Sequence, residues 1–322
     1  MKSVYFLALA TCLATPAFSD AAGDRLAGIA HFFENARVLA GPNIVDCKLS
    51  KGTQTKCFAI TVKAEPKDYT PGPWCPTSIT DGPDKSGVWL EGGAVLDVDG
   101  DFITNLPTLY GDDTWQLFDP ATGKVRVTDS KAACKAAARP DVDPAYNNYC
   151  VECLPEYMPE DASITYVIPL APQRTWFTNR AQPAGVANNG VRLDGPAPVD
   201  AILAAHTIAP FDDCGGHVNT HVGYHYHIAT DCLKVAQIRE NHAGQIGIAM
   251  DGFGIFTHLL ADGTAPDDLD KCNGHEAATL GYHYHAGAAG SNAILSCLRA
   301  ETGCALEDGS QTCDATVRPP RP

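Results

Sequence analysis

Apolar residues spaced by three and four positions predict an amphipathic helix over residues 21–39, with Leu26, Ile29 and Phe33 near one face. Pro42 follows shortly afterwards and is expected to end the helix, because proline has no N–H to continue its hydrogen-bond ladder. Few later segments of the chain show this helical spacing of apolar residues. We expect two further short helices, at residues 130–138 and 232–241.

Most other apolar residues alternate with polar ones or form short runs, which is typical of strands. A strand with a bulge at Gly92-Gly93 is predicted over residues 89–98. The other predicted strands lie at residues 57–62, 115–118, 124–127 and 163–169, and the middle two are expected to form a hairpin. The chain is therefore expected to have an α+β fold that is rich in strands.

A sequence block that contains most of the histidines occurs twice. Ten of the eleven histidines lie in the stretch from residue 206 to residue 285. Each copy has a Cys-x-x-His segment followed by Gly-Tyr-His-Tyr-His. The offset from Cys214 to Cys272 is the same as that from His225 to His283. Chance does not produce such a register, so the block is an internal repeat.

The two copies predict the organisation of the C-terminal half. The repeats span about residues 185–230 and 244–288. We expect them to form one domain as two tandem, pseudo-symmetric units that pair about an approximate twofold axis. Two units in series with separate sites is the alternative. The segment before them, residues 20–160, is expected to be a disulfide-containing region of unknown type.

The N-terminus has the features of a secretory signal peptide over residues 1–19. Lys2 precedes a short apolar run, and a small-x-small site ends at Ser19. The apolar run is too short to span a bilayer, and no later segment is long enough. We therefore expect a periplasmic or secreted protein without a membrane span.

The cysteine count supports an oxidising compartment. Removal of the signal peptide removes Cys12 and leaves twelve of the thirteen cysteines. An even number in an exported chain indicates disulfides. Twelve cysteines correspond to six bridges, or to five bridges and two metal ligands.

Composition excludes some functions. The 322 residues are 45% hydrophobic and 19% charged, so an ordered protein is expected. The formal charge of −15 disfavours binding to nucleic acid and to anionic membranes. The expected partners are a metal ion and a small-molecule or polymer substrate of unknown identity.

The Tyr-His-Tyr-His segments predict metal ligands. Alternate side chains of a strand share a face, so His225 and His227 point to one side and Tyr224 and Tyr226 to the other. Imidazole is the commonest transition-metal ligand in proteins. Ligand imidazoles must be neutral, so we expect binding to weaken between about pH 7 and about pH 5. The predicted ligands are His217, His225, His227, His275, His283 and His285.

Two arrangements of these ligands are compatible with the sequence. Each repeat can form its own site, with the histidine of the Cys-x-x-His segment as third ligand. Alternatively, the two Tyr-His strands meet at a common cleft and share a metal or hold two. If the repeats form one functional unit, the two histidine pairs should lie about 4–12 Å apart, given metal–nitrogen distances of about 2.0–2.1 Å. The five remaining histidines, which are not repeated, are His31, His206, His221, His242 and His258; hydrogen-bonded structural roles are expected for the first and the last two.

The cysteines of the two Cys-x-x-His segments have two possible roles. Cys214 and Cys272 would complete Cys-plus-three-His zinc sites if they were reduced. In an exported protein we favour disulfides that hold the histidine loops, with Cys232 and Cys297 as partners of plausible spacing.

Four residues are candidates for catalysis. Tyr224 and Tyr282 could take part in redox chemistry. Asp194 and Asp251 each precede a glycine, at nearly the offset of the repeated histidines, and are treated as corresponding positions. A turn-forming role is usual for aspartate in such a place, while the functional alternatives are a general base or a carboxylate that orients a ligand histidine.

These motifs resemble those of the bacterial YHYH-domain proteins. The resemblance rests on the Ile-Ala-Met-Asp-Gly-Phe-Gly-Ile segment that begins at Ile248, on Cys-Asn-Gly-His ending at His275, on Tyr-His-Tyr-His ending at His285, and on the corresponding first copy. It covers about residues 185–290 and departs mildly where Phe256-Thr257 stands in place of Tyr-Gly. The resemblance implies an exported protein with a YHYH domain over residues 161–305. It implies no particular metal, substrate or reaction, and residues 306–322 are expected to be a loose tail.

The function predicted from the sequence is that of an exported, histidine-rich metalloprotein. Histidine ligands without an obligatory carboxylate favour copper or zinc over magnesium, calcium or manganese, and we favour copper over zinc. The first hypothesis is a copper- or zinc-dependent enzyme, either an oxidoreductase or a hydrolase. The alternatives are a non-catalytic copper or zinc carrier or buffer, and a metal-free ligand-binding module.

Overall fold

A computed structural model describes residues 18–63, 65–235, 242–307 and 309–317. Residues 1–17 of the predicted signal peptide lie outside this part of the chain, as do residues 236–241 of a predicted helix. In the described part, no helix is both long and apolar enough to cross a membrane.

The described residues contain more strand than helix, as the sequence predicted. The helices are α1 (Phe18–Phe32), α2 (Gly100–Tyr110), α3 (Lys131–Ala137) and α4 (Val199–Ala204). The strands are β1 (Val38–Lys48), β2 (Gln54–Val62), β3 (Val88–Glu91), β4 (Ala94–Asp97), β5 (Ile164–Pro169), β6 (Arg174–Asn179), β7 (Gly185–Ala187), β8 (Arg192–Leu193), β9 (Gly216–Asn219), β10 (Gly223–Tyr226), β11 (Gln245–Ala249), β12 (Gly254–Phe256), β13 (Gly274–Ala277), β14 (Gly281–His285), β15 (Leu298–Ala300), β16 (Cys304–Leu306) and β17 (Cys313–Asp314).

Two predicted helices form, with boundaries set by local chemistry. Helix α1 ends earlier than predicted because the chain turns and enters β1 at Val38. Helix α3 begins where Ser130 accepts a hydrogen bond from the backbone N–H of Ala133 at 3.2 Å. This N-cap satisfies one of the donors that a helix start leaves free.

The segment predicted as one bulged strand is a hairpin instead. Strands β3 and β4 pair antiparallel, and Gly92-Gly93 forms the turn between them. Both glycines have positive φ, at 57° and 87°, a region that glycine enters without steric cost. The next predicted hairpin is reduced to a single antiparallel bridge between Phe118 and Val125.

A five-stranded sheet has the order β16-β5-β2-β1-β17. It combines strands from both sides of residue 160. Strand β17, in the segment expected to be a loose tail, pairs in parallel with β1 at Cys47 and Lys48. Cys313 is also disulfide-bonded to Cys304, so the tail is anchored there.

An eight-stranded sheet has the order β13-β14-β12-β11-β7-β8-β10-β9. Its central pair, β7 and β11, is antiparallel. On either side of this pair, the next pairing is antiparallel, between β7 and β8 and between β11 and β12. The pairing after that is parallel, between β8 and β10 and between β12 and β14. The outermost pairing is again antiparallel, between β10 and β9 and between β14 and β13. The sequence of pairings is therefore the same in both halves.

The main core lies between these two sheets. Ile60 of β2 and Ile168 of β5 belong to the same buried cluster as the tyrosines of the eight-stranded sheet. Those tyrosines are Tyr224, Tyr226, Tyr282 and Tyr284, each 8% exposed or less. Since strand alternation puts the histidines on the other face, this packing directs them away from the main core.

A second buried cluster is separate from the main core. It is built around Trp89, Ile103, Leu106 and Trp115, and includes Ile208 from the chain after α4. The disulfide between Cys75 and Cys150 lies within this cluster.

Six disulfides join the twelve cysteines after residue 19. They are Cys47–Cys57, Cys75–Cys150, Cys134–Cys153, Cys214–Cys232, Cys272–Cys297 and Cys304–Cys313. The partners predicted for Cys214 and Cys272 are confirmed. Such a set is typical of proteins from oxidising compartments.

We predict that the chain from residue 20 onward contains no free thiol when it is denatured without reductant, because its twelve cysteines are all paired. Thiol titration in denaturant measures this directly, and the same sample after reduction should show twelve thiols. Two or more reactive thiols before reduction would contradict the pairing.

Candidate metal centres

The histidines of each repeat are brought together by one antiparallel strand pair. In the first repeat, His217 of β9 lies directly opposite His225 of β10. In the second, His275 of β13 lies directly opposite His283 of β14. Opposite residues of an antiparallel pair share a face, so the Cys-x-x-His histidine joins the Tyr-His strand as predicted.

The first group consists of His217, His225 and His227. Their ring centroids lie 4.7 Å (His217–His225), 4.8 Å (His225–His227) and 5.0 Å (His217–His227) apart. One ligand nitrogen of each lies within 4.8 Å of those of the other two. His225 and His227 are buried, with 2% and 6% of their surface exposed.

The second group has four members: His242, His275, His283 and His285. The Nε2 atom of His283 lies 3.0 Å from Nε2 of His275 and 3.2 Å from Nε2 of His242. Nε2 of His285 lies 3.2 Å from Nε2 of His275. Four nitrogens around a tetrahedral ion with bonds of about 2.0–2.1 Å would be about 3.3 Å apart, close to these spacings.

Hydrogen bonds fix the tautomers of the second group. Nδ1 of His283 lies 2.9 Å from the carbonyl of Gly281, and Nδ1 of His285 lies 2.8 Å from that of Thr257. The other two Nδ1 atoms also face oxygens that only accept: a carboxylate oxygen of Asp268 for His275 at 2.6 Å, and the carbonyl of Ala243 for His242 at 3.4 Å. Each Nδ1 must therefore carry the proton, and each neutral ring presents a lone pair at Nε2.

The first group follows the same rule. Nδ1 of His225 donates to the carbonyl of Gly223 at 3.0 Å, and Nδ1 of His227 donates to that of Gly195 at 2.6 Å. A second hydrogen bond that fixes the tautomer and the ring orientation is characteristic of ligand histidines.

Burial keeps these rings neutral. Removal from water lowers the pKa of His283 to about 4, an effect that the neighbouring His275 and His242 reinforce. The pKa of His285 is lowered to about 4 in the same way. Burial also lowers the pKa values of His217 and His225 well below the ordinary value. The lone pairs are thus available near neutral pH, so both groups are suited to binding a metal cation.

A tyrosine–aspartate pair supports each Cys-x-x-His loop. The hydroxyl of Tyr224 donates to Asp212 at 2.9 Å, and Oδ1 of Asp212 accepts the N–H groups of Cys214 and Gly216 at 3.1 and 3.0 Å. A side chain at Gly216 would collide with the Tyr224 ring, its Cβ lying 2.4 Å from Cζ. The glycine therefore lets the tyrosine reach the aspartate.

The second repeat contains the same support. Tyr282 donates to Asp270 at 2.9 Å, and Asp270 accepts the N–H groups of Cys272 and Gly274 at 2.8 and 3.1 Å. Tyr224 and Tyr282, the predicted catalytic tyrosines, thus lie on the face opposite the histidines and hold the loops that carry them.

The two predicted aspartates occupy different positions, so their assumed correspondence is wrong. Asp251 follows β11, is fully buried, and accepts a hydrogen bond from Tyr284 at 2.7 Å. Burial raises its pKa to about 6. In the first repeat Asn189 takes this place and donates to Tyr226 at 2.9 Å. Asp194 instead follows β8 beside the first histidine group.

The first group opens onto a cavity of about 220 Å³. The three histidines and Asp194 are part of its lining. Trp74 and residues 137–140 and 151–153, which precede the repeats, also line it. The region of unknown type therefore forms part of the wall around the first group.

His242 is the functional candidate that sequence reasoning missed. A structural role was expected because His242 has no repeated counterpart: Ala184 stands at the corresponding offset in the first copy. His242 precedes the second Gly-Tyr-His-Tyr-His segment and is not part of its alternating pattern, so the sequence does not mark it as a ligand. The other unrepeated histidines lie outside both groups: His31 contacts Glu34, His206 contacts Asp112, His258 contacts the carbonyl of Ala286, and His221 is exposed.

The two Tyr-His strands do not converge, so the shared-cleft arrangement is wrong. Strands β10 and β14 are five positions apart in one sheet. At about 4.8 Å per strand spacing, this is about 24 Å, beyond the 4–12 Å expected. Pairing β7 with β11 at the centre places the histidines of both repeats towards the outer strands. Each repeat thus forms its own group.

Comparison with known proteins supports the resemblance seen in the sequence. No curated protein and no solved structure matches the chain. Residues 165–268 match the model of a family described as YHYH protein. The match begins in β5 and includes the first Tyr-His-Tyr-His strand, but it ends before the second. The likeness to the YHYH protein family is therefore established for residues 165–268.

Proposed function

We propose that this protein is an exported metalloprotein in which each histidine group holds one copper or zinc ion. One observation carries the proposal. In the second group all four Nδ1 atoms donate hydrogen bonds, so all four Nε2 atoms present lone pairs. Neighbouring Nε2 atoms lie 3.0–3.2 Å apart. Lone pairs repel each other unless a cation lies between them. This argues against the metal-free binding module.

We further propose that the first group is the reaction centre of an enzyme. It supplies three histidines, and no fourth histidine, cysteine or carboxylate of the described residues completes it. Three protein ligands with one open position are typical of catalytic zinc sites. Bound copper or zinc would supply Lewis-acid chemistry there, and copper would add one-electron chemistry. The cavity beside it is large enough for a small molecule.

The residues around the first group have distinct roles in this proposal. The carbonyls of Gly223 and Gly195 hold His225 and His227 in the ligating tautomer. Asp194 lies beside the group and is paired with Arg192 at 3.1 Å. We propose that it orients the site electrostatically. Tyr224 positions His217 through Asp212 and does not touch the reacting atoms.

The second group favours a different role. Four histidines saturate a tetrahedral ion, and a closed site of this kind is typical of structural or storage metals. The carrier or buffer function is thus the second candidate, and it applies to this group. We infer that the two four-strand halves are related by an approximate twofold axis and have diverged, one retaining an open position and the other recruiting His242.

Metal analysis of protein purified without a histidine tag tests the proposal. We expect close to two equivalents of copper or zinc per chain, located in the periplasm or the medium of the producing cell. The metal-free protein prepared with a chelator should regain two equivalents on titration. Wild-type protein that folds fully and binds neither ion in titration would contradict the proposal.

Metal binding at the second group should weaken at a lower pH than the sequence alone predicts. Protons compete with the metal only when the pH approaches the pKa of the folded, metal-free rings. Because the pKa values of His283 and His285 are lowered to about 4, protons should compete with the metal for these two rings only below about pH 5. Competition titration with a chelator at each pH measures it. A tenfold or greater loss already between pH 7 and 6 would contradict the burial of these rings.

A further inference from the structure

The cavity beside the first histidine group contains a partly buried carboxylate without a cationic partner. Glu152 lies in its wall, in the segment before the repeats. Its Oε2 accepts a hydrogen bond from the N–H of Cys75 at 3.2 Å. No lysine, arginine or histidine of the described residues forms an ion pair with it.

The other charges of the cavity are already neutralised. Asp194 is paired with Arg192, and Arg139 is held by Asp141 through two hydrogen bonds. The only charged side chain that acts appreciably on Glu152 is another carboxylate, that of Glu156. The cavity therefore presents one unpaired negative charge in the same space as the histidines.

Burying an unpaired carboxylate is unfavourable unless a donor or a cation reaches it. The same wall is fixed in place, because Cys150 and Cys153, on either side of Glu152 in the chain, are both disulfide-bonded. The chain therefore holds this charge rigidly in a space whose lining also includes Trp74, Val151 and several prolines. Residue 152 also lies outside the part of the chain that matches the YHYH family.

We propose that the first site binds a small organic amine, whose cationic group is recognised by Glu152 while its other end reaches the histidine group. A cavity of about 220 Å³ accommodates a molecule of about ten non-hydrogen atoms, given a volume of roughly 20 Å³ for each close-packed atom. Trp74 and Val151 in the lining offer apolar contacts to a compact hydrocarbon or aromatic body. This inference rests on the proposed open metal position.

Matched pyridines test the inference on the zinc-loaded, full-length protein. A pyridine nitrogen can occupy an open coordination position, and a group in the 4-position points away from the metal and cannot chelate it. We compare 4-(aminomethyl)pyridine, which is cationic near pH 7, with the neutral 4-ethylpyridine of the same size, using calorimetry. The cationic probe should bind about tenfold more tightly, a difference of about 1.4 kcal/mol.

The variant Glu152→Gln should abolish this preference, because its amide oxygen can still accept from Cys75 but carries no charge. Glu156→Gln is the matched control, since Glu156 is exposed and does not line the cavity, and it should keep the preference. Zinc content and thermal unfolding of both variants report whether they are folded. If Glu152→Gln does not fold, the wild-type protein still provides the test. It should bind the cationic pyridine most tightly and the anionic probe isonicotinate most weakly.

Two outcomes overturn the inference in distinguishable ways. If both pyridines bind equally well to the wild type, or if the preference persists in Glu152→Gln, the amine specificity is wrong and the open site stands. If neither pyridine binds while zinc occupies the first group, the open coordination position itself is wrong, and the inference fails with it.

Discussion

The His283→Ala variant should bind one metal ion fewer than the wild type and should unfold more easily. His283 is central to the second group, since its Nε2 contacts both His275 and His242. Removing it takes away one ligand and leaves a gap in the tetrahedral set. Metal that binds only the folded state stabilises it by about 4 kcal/mol when the free metal is about 1,000 times the dissociation constant. Metal content and urea unfolding with added metal measure both effects.

The double variant His225→Ala, His283→Ala should release both ions, and His225→Ala alone should empty only the first group. His258→Ala is the matched control, because His258 is hydrogen-bonded to Ala286 and belongs to neither group. It should retain two ions and wild-type stability at saturating metal. A His283→Ala protein that still holds two equivalents with unchanged affinity would refute the second site.

The Asp212→Ala variant should lose about 4 kcal/mol of unfolding free energy. Asp212 is 2% exposed and accepts hydrogen bonds from the N–H of Gly72 at 3.0 Å, the N–H groups of Cys214 and Gly216, and the hydroxyl of Tyr224. Leaving buried donors without an acceptor costs about 1–3 kcal/mol each, offset in part when water enters. Urea unfolding at an unchanged m-value measures the loss.

Asp212→Ala should also weaken metal binding at the first group, because the loop that carries His217 loses its anchor. The comparison is Asp270→Ala in the second repeat, whose side chain is 31% exposed. Water can replace the lost acceptor there, so we expect a smaller loss of stability. If Asp270→Ala proves the more harmful variant, or if Asp212→Ala costs less than about 1 kcal/mol, the anchoring role is wrong.

The local sequence pattern was sufficient to predict the parts of each histidine group that come from a single strand or loop. Alternation along β10 and β14 put the paired histidines on one face and the tyrosines on the other, because a strand has a period of two. The bonding of Cys214 to Cys232 and of Cys272 to Cys297 also followed from spacing and the oxidising compartment. Each pair closes a short loop, which limits the possible partners.

The sequence was misleading where similar residues lie at similar offsets. Asp194 and Asp251 both precede glycine, but Asn189 is the residue that contacts a Tyr-His strand as Asp251 does. The offset from Asn189 to Asp251 is larger than the offset between the two Tyr-His strands. The connection between β8 and β9, which contains α4, is longer than that between β12 and β13, and this explains the difference.

The sequence by itself determined the six histidines that recur at a constant offset and the face on which each lies, because these depend on neighbours a few residues apart. Only the tertiary structure decided that the groups stay apart, since the central pairing of β7 with β11 sends the histidine strands outward. It also decided that His242 joins one group and that the cavity with Glu152 adjoins the other. Those contacts join segments distant in the chain, and no local period encodes them.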